Sequence, residues 1–466
     1  MQTPNTPEER RLYLESKFGK ALFDVADTKE IPECAVIPYY AGIEEMLATD
    51  QAFRLVEESL ERSYHLTVNR SEKGGGHLTR RNFLTAAGVV LASMALPLGG
   101  PSVSRAQDVY VASAQESTLA SVSSPECQGV DEHYPTGDPA TDIDAFYTEA
   151  NGRSLVGMAS NEDLGVSVTK AIELAGGLDE ILPGQSVCIK PNNVIQMLDF
   201  TDLSHKVPTC TNPEVLRHVI RAVVARTENP KTVFVCERAA LGSPTLLQMM
   251  FSGIYDVALE EGVQILPWEN KGYITFTHPK CHYLTQSFKV PESIRHFDHF
   301  VNVPVMKNHE MVFDQAEFTA GIKAFVGLLH PNERMTLKHR LHEKDFCEKV
   351  VELNLCRPYS TMTVIDATEV VISGGPAYPW MKFATPGIVV AGKDRVATDS
   401  VGLAVLKRHA MLAGLDKNYV RKTIWEQRQL RYAAELGFGY AEPQRIDVAH
   451  EGVSDAEAIL NIWQDT

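Results

Sequence analysis

From residue 154 onward, short apolar β-branched runs alternate with segments of helical periodicity, and this alternation limits the fold more than any other feature of the chain. The runs at 186–189, 232–236, 263–266, 300–303, 361–365 and 387–391 have strand length, and the spacers are long enough to hold helices. Strands joined in this way cross over rather than turn back, which favours parallel pairing with helices covering the sheet. The expected fold is therefore α/β, a mostly parallel sheet with helices on both faces, in a single large domain over 154–450 followed by a tail at 451–466.

Helix starts are marked by chemistry. Asn212 followed by Pro213, and Ser243 followed by Pro244, each pair a capping side chain with a first-turn proline, predicting helices to about residues 226 and 261. Asp394 caps a third predicted helix to about residue 409, and periodicity predicts further helices at 166–175 and 420–436. In 319–329, Ile322, Phe325, Val326 and Leu329 recur at helical spacing around one cation, Lys323.

Five predicted strands deliver ionic groups just past their apolar runs: Lys190, Glu237, Lys307 with His309, Asp366, and Lys393 with Asp394. In open α/β sheets the ligand crevice lies outside the carboxyl ends of the strands, so these side chains are expected on one rim. The N–H groups of the helices that open at Asn212 and Ser243 would face the same rim and favour an anion. Lys190, Lys307 and Lys323 then oppose Glu237, Asp366 and Asp399. Asp399 lies inside an apolar helical run, where a carboxylate has a raised pKa or needs a lysine. Two readings of this set follow: a charge network that fixes the sheet edge, or a cleft for a small anionic or carbonyl-bearing molecule in which a desolvated lysine donates a proton or clamps charge. On the second reading Lys307, His309, Lys323, Asp366 and Asp399 are the expected catalytic groups, and Lys190, Asn192, Asn212, Glu237 and Asp394 the ligand-binding groups.

Other chemistries have weaker signals. The net charge of −16 argues against nucleic acid as the partner, since phosphate binding needs a concentrated basic face. Eight cysteines form no CxxC pair or ferredoxin-type run, so no intrinsic iron–sulfur cluster can be read from their spacing. Eight of the fifteen histidines fall between His278 and His342, including His278 and His282 around Cys281, His296 with His299, and His339 with His342. These are metal-ligand types without a strict metal signature, so a metal and its identity stay open. Neither a G-x-S-x-G elbow nor a glycine-rich phosphate loop follows any predicted strand, and Cys188, Cys236 and Cys356 sit in or beside apolar packing.

Upstream of residue 154 the chain changes character. Residues 1–76 are a polar extension, 77–106 resemble a twin-arginine export signal, and 107–153 are a linker rich in Ser, Thr, Pro and Asp. The signal reading rests on Thr79-Arg80-Arg81-Asn82-Phe83-Leu84, a short apolar run, and Ser104-Arg105-Ala106 before a mature start at Gln107. It implies the twin-arginine translocation machinery as partner and a periplasmic or other extracytoplasmic location, with the signal cleaved or kept as an anchor. Because such signals lie near the initiator, either translation starts further on, near Val68, or residues 1–76 stay in the cytoplasm.

Six segments, VCIKPNN (187–193), TNPEVLRHVI (211–220), FVNVPVMKNHE (300–310), GIKAFVGLLHP (321–331), VIDATEVVISGGPA (364–377) and VAGKDRVATDSVG (390–402), together resemble the domain of unknown function 362 family. The resemblance implies one domain over about 154–450 with shared polar positions at Lys190, Asn192, Lys307, His309, Lys323, Asp366, Asp394 and Asp399. It brings no activity with it. Asn308 stands where many members have Thr, and Ala324 where many have Asn, which removes a polar group beside Lys323. The expected function is an exported enzyme, redox or metal-assisted, that acts on a small anionic or carbonyl-bearing molecule. The alternative is a non-catalytic protein binding a small anion or a metal at the same rim.

Overall fold

The computed structural model describes Glu9 and residues 152–465, apart from 195–197, 200–201, 240–244, 269–271, 285–286, 310–317, 331–332, 334–340, 342–343 and 376–380. The predicted extension beyond Glu9, the signal-like segment, nearly all of the linker, Ser243, Pro244, His339 and His342 lie outside the described residues. By contacts the chain divides into two units, and among the described residues the smaller holds 198–207 without the gap at 200–201, 239, 245–251 and Glu9. Its strands β3 (Leu198–Asp199) and β4 (Asp202–Lys206) pair antiparallel, as numbered along the chain below.

The larger unit begins with β1 (Ser154–Ala159), α1 (Leu164–Leu174) and β2 (Val187–Pro191). Beyond β3 and β4 come α2 (Pro213–Thr227), β5 (Val233–Glu237), α3 (Thr245–Ser252, mostly in the smaller unit), α4 (Ile254–Glu260) and β6 (Gln264–Pro267). A hairpin of β7 (Tyr273–Thr277) and β8 (Ser287–Pro291) leads to β9 (His299–Val303), β10 (Val305–Asn308), β11 (Phe318–Thr319), α5 (Gly321–Ala324) and α6 (Phe346–Glu352). The chain closes with β12 (Met362–Ser373), β13 (Lys382–Ala384), β14 (Ile388–Gly392), α7 (Arg395–Leu412), α8 (Asn418–Arg421), α9 (Arg428–Glu435), β15 (Ile446–Glu451) and α10 (Ala456–Gln464).

Eight strands form a continuous sheet in the order β15-β1-β14-β12-β9-β2-β5-β6, and β10, β11 and β13 extend it to eleven. β15 with β1, and β12, β9, β2, β5 and β6 in succession, pair parallel. β14 runs antiparallel to both of its neighbours, β1 and β12. The sheet is thus mixed and mostly parallel, as the alternation of elements predicts.

Two glycines show that helices cover both faces. A Cβ at Gly157 of β1 would lie 2.2 Å from the Ala171 carbonyl oxygen of α1, and one at Gly392 of β14 would lie 2.2 Å from Thr398 Oγ1 of α7. Gly157 pairs with Ala391, so the next residue, Gly392, points to the opposite face. α1 and α7 therefore sandwich the sheet. On the α7 side, α10 is tied down by buried Trp463, whose Nε1 donates to Ser400 Oγ at 2.8 Å.

Three predicted helices end or break earlier than their periodicity suggests. Gly253, with φ of 87°, separates α3 from α4 where a single helix to residue 261 was expected. Between α8 and α9, Thr423 and Glu426 form a reciprocal cap: the Thr423 N–H donates to Glu426 Oε2 at 2.7 Å and the Glu426 N–H to Thr423 Oγ1 at 3.2 Å. Such a box starts a new turn rather than continuing an old one. In 319–329, Thr319 belongs to β11, α5 lasts four residues, and Phe325–Leu328 tighten into a 3-10 turn.

Candidate functional site

The carboxyl ends of β2, β5 and β9, with β10, gather a buried lysine cluster. Lys190, near the end of β2, pairs with Glu237 at the end of β5, Nζ to Oε2 at 2.7 Å. Both are almost fully buried, at 1% and 3% exposure, so the pair depends on its own geometry and on further hydrogen bonds to offset desolvation. Glu237 obtains those bonds from backbone: the Arg238 N–H donates to Oε1 at 2.7 Å and the Asn193 N–H to Oε2 at 3.4 Å.

Lys307 projects from β10 and is 2% exposed, and its Nζ donates to the Thr209 carbonyl oxygen at 2.6 Å. Its partner is a neutral dipole and not a carboxylate. Burial, which costs the charged form most, pulls the Lys307 ammonium down to about 7, with Lys323 and Lys190 adding repulsion and Cys210 and Glu237 opposing it. Lys323, on α5, lies with its Nζ 5.1 Å from the centre of the Phe346 ring, and His309 stacks on the same ring at 6.2 Å. Both are buried.

The segment 209–212 threads these strand ends together. The Thr211 hydroxyl donates to the Val303 carbonyl oxygen at 2.6 Å and accepts the Asn192 N–H at 2.8 Å. Asn212 caps α2 by accepting the Glu214 N–H at 2.9 Å, while its own N–H donates to Asp366 Oδ2 at 2.7 Å. Asp366 also accepts the Thr368 N–H and hydroxyl, and burial raises its pKa. The structure places Asp366 fifth in a twelve-residue strand and not past a strand end, because β10 and β13 pair with the second half of β12 and prolong it.

Two predicted members of the rim stand elsewhere. β14 is antiparallel and its last residue, Gly392, pairs with Thr363 near the start of β12, so Lys393 and Asp394 emerge where the parallel strands begin. There Lys393 meets Glu180 at 2.8 Å, ahead of β2, and Asp394 accepts the Ser154 hydroxyl and the N–H groups of Ala397 and Tyr440. Burial pushes Asp394 up to about 6. It caps α7 and anchors the start of β1, far along the strands from the lysines.

Among the described residues Asp399 meets no lysine either. Fully buried in α7, it accepts the Gly321 N–H at 2.7 Å and the Ile322 N–H at 2.9 Å, and burial pushes it up to about 7. The carbonyl groups of the same two residues accept from Asn302 Nδ2 at 2.9 Å and Asn354 Nδ2 at 3.1 Å. Asp399 therefore holds the turn that carries Lys323, a positioning role.

The second glycine of the apolar 321–329 run, Gly327, brings the 3-10 turn onto the ion pair. A Cβ at Gly327 would fall 2.2 Å from Glu237 Oε1 and 2.8 Å from Lys190 Nζ. The sequence reading did not single out Gly327, Thr209, Cys210, Asn193 or Thr319. A conspicuous glycine inside a helical pattern is the signal that could have found the first. Cys210 is buried beside Lys307 with its thiol pushed up to about 11, mainly by desolvation, so it is a neutral neighbour.

Among the described residues the histidine sets form no metal-holding group. His299 uses both ring nitrogens, toward Thr361 Oγ1 at 3.1 Å and Gln185 Oε1 at 2.8 Å, at the amino-terminal edge of the sheet, while His296 is exposed. Among the described residues no group of three His, Cys, Asp or Glu side chains could hold a metal ion, and no helix is long and apolar enough to cross a membrane.

Residues 187–404 match the family model described as Domain of unknown function (DUF362). The DUF362 span covers every side chain of the lysine cluster and its supports, from Lys190 to Asp399. No curated protein matches the chain. Among solved structures, the chain is similar to the lactate racemase apoprotein from Thermoanaerobacterium thermosaccharolyticum at 11% identity, over 66% of this chain and 86% of that chain, with a TM-score of 0.30.

Proposed function

We propose that this protein is an enzyme acting on a small anionic or carbonyl-bearing molecule at the Lys190–Glu237–Lys307–Lys323 cluster. The observation that carries the reading is Lys307: a buried amine held by a backbone carbonyl, with two further lysines as neighbours. An ammonium in that setting releases its proton near neutral pH, and a ligand anion restores it, so the group can exchange a proton with a bound molecule. Lys190 is already neutralised by Glu237 and supports the shape of the site, while Lys323 supplies positive field. We further propose export by the twin-arginine route, on the sequence evidence at 79–106. That route carries folded proteins, which suits an enzyme that acquires a metal or redox group before translocation.

A thermal-shift panel of carboxylates and phosphates, followed by product analysis for each stabilising compound, tests the reading. Stabilisation with turnover, lost in Lys307→Ala while that variant stays folded, is the expected result. Stabilisation without product identifies a binding protein instead. Unfolding of Lys307→Ala with no ligand effect in the wild type returns the cluster to a structural network. Metal analysis and an absorbance spectrum of protein from its native host decide the redox or metal-assisted part.

A further inference from the structure

We propose that Lys307 is a covalent nucleophile, whose Nζ forms an imine with a carbonyl compound bearing a carboxylate, the class of small 2-oxo acids. This rests on the reading of the cluster as a small-molecule site and goes beyond it by naming bond formation and substrate class.

Three observations converge on Lys307. First, its hydrogen bond runs to the Thr209 carbonyl oxygen, a bond that a neutral amine makes with one N–H while its lone pair remains available. Lys190 differs, since its ammonium is committed to Glu237. Second, desolvation lowers the Lys307 pKa most, and among the described residues Lys323 and Lys190 repel its charge while Cys210 and Glu237 favour it, so that the amine gives up its proton at about pH 7. A lysine that is desolvated and set beside a second cation is the usual activated form of this nucleophile. Third, Thr319 pairs directly with Lys307 across the β10–β11 ladder, so both side chains stand on one face. The Thr319 hydroxyl is 2% exposed and makes no hydrogen bond among the described residues.

The chemistry balances without an oxidant or a metal. The Nζ lone pair attacks the carbonyl carbon and forms the C–N bond as the C=O π bond opens. Both amine protons then pass to the carbonyl oxygen, which leaves as water while the C=N bond forms. A hydroxyl at Thr319 is suited to relay those protons, and the Lys323 ammonium to face the substrate carboxylate. The imine nitrogen, once protonated, withdraws electrons from the adjacent carbon, the basis for proton loss or decarboxylation there.

The test uses the full chain with pyruvate and glyoxylate as probes. Protein at pH 7 is treated with each acid and sodium cyanoborohydride, and peptides are mapped by mass spectrometry. Expected is one adduct, on Lys307, with a mass gain of one oxo acid less one oxygen atom, absent from Lys307→Arg and reduced several-fold in Thr319→Val. Labelling spread over exposed lysines, with none at Lys307, overturns the proposal. Peptide mapping of the wild type decides this even where a variant fails to fold. Thermal stabilisation by the oxo acid without a reducible adduct overturns the imine and leaves the binding site standing. Absence of both stabilisation and adduct overturns the imine together with the oxo-acid reading of the site.

Discussion

Gly327 lies against Glu237 so closely that the smallest side chain would put a carbon 2.2 Å from Oε1. The 3-10 turn at Phe325–Leu328 can seal the Lys190–Glu237 pair only because that carbon is missing. Gly327→Ala must push back either the turn or the ion pair, whose carboxylate is pinned by Arg238 and Asn193. Overpacking of this kind costs about 1–3 kcal/mol. Urea unfolding should show a lower midpoint with an unchanged slope; an unchanged midpoint would mean that the turn moves freely.

Removing one member of the ion pair should cost more than removing both. Lys190→Met leaves a carboxylate at 3% exposure, and Glu237→Gln leaves an ammonium at 1% exposure. Each single change to a pair of this depth costs about 3–5 kcal/mol because a charge stays buried alone. The double variant Lys190→Met with Glu237→Gln carries no charge and keeps an oxygen for the Arg238 N–H. A double-mutant cycle should therefore give a double variant more stable than the sum of the singles. Additivity would show that the two groups do not depend on each other.

Asp399 should give stability an acid-side dependence. In the native chain it holds its proton up to about pH 7, whereas an unfolded aspartate loses it near ~4. Between those values the native state binds more protons, so this group's contribution is present below the lower value and lost as pH rises through the upper one. Asp394, pushed up to about 6, acts with the same sign. Asp399→Asn keeps one acceptor for the Gly321 and Ile322 N–H groups and cannot titrate. Stability of the wild type relative to Asp399→Asn should fall from pH 4 to pH 7. A flat difference would mean that Asp399 titrates as in water.

Six strands of the main sheet and most helix starts are legible because their signals are local, while β1 and β15, which pair at its edge, are not among them. Asn212 and Asp394 cap helices by hydrogen bonds within three residues, and β-branched runs mark strands wherever they pair. The convergence of Lys190, Glu237 and Lys307 follows from one rule about parallel sheets, whereas Lys323 arrives on α5. The same rule misassigned Asp394, since nothing in an apolar run at 387–391 reveals that β14 runs the other way. Of the two expectations for Asp399, a raised pKa or a lysine, the structure shows the first; its partners stay hidden in the sequence because Gly321 and Ile322 offer backbone groups 78 and 77 residues away, and a backbone N–H has no letter. Thr209 escaped notice because it too acts through its main chain.

Lys307 should show the opposite pH dependence and separate stability from function. Its proton leaves at about pH 7 in the native chain, whereas an unfolded lysine keeps it to ~10.4. Across that window the unfolded chain binds more protons, so stability rises with pH, and at or below pH 7 the buried ammonium is a burden on the fold. Lys307→Met keeps the length and apolar stem of the side chain without that charge, leaving the Thr209 carbonyl oxygen with one donor fewer. Relative to the wild type, Lys307→Met should be most stable near pH 6 and lose that advantage by pH 10, in chemical denaturation at matched ionic strength. The same variant should lose stabilisation by every ligand of the panel. A gain in stability joined to a loss of binding is what a residue retained for chemistry gives when it is removed. If Lys307→Met were instead less stable at every pH, the amine would be an ordinary part of the packing.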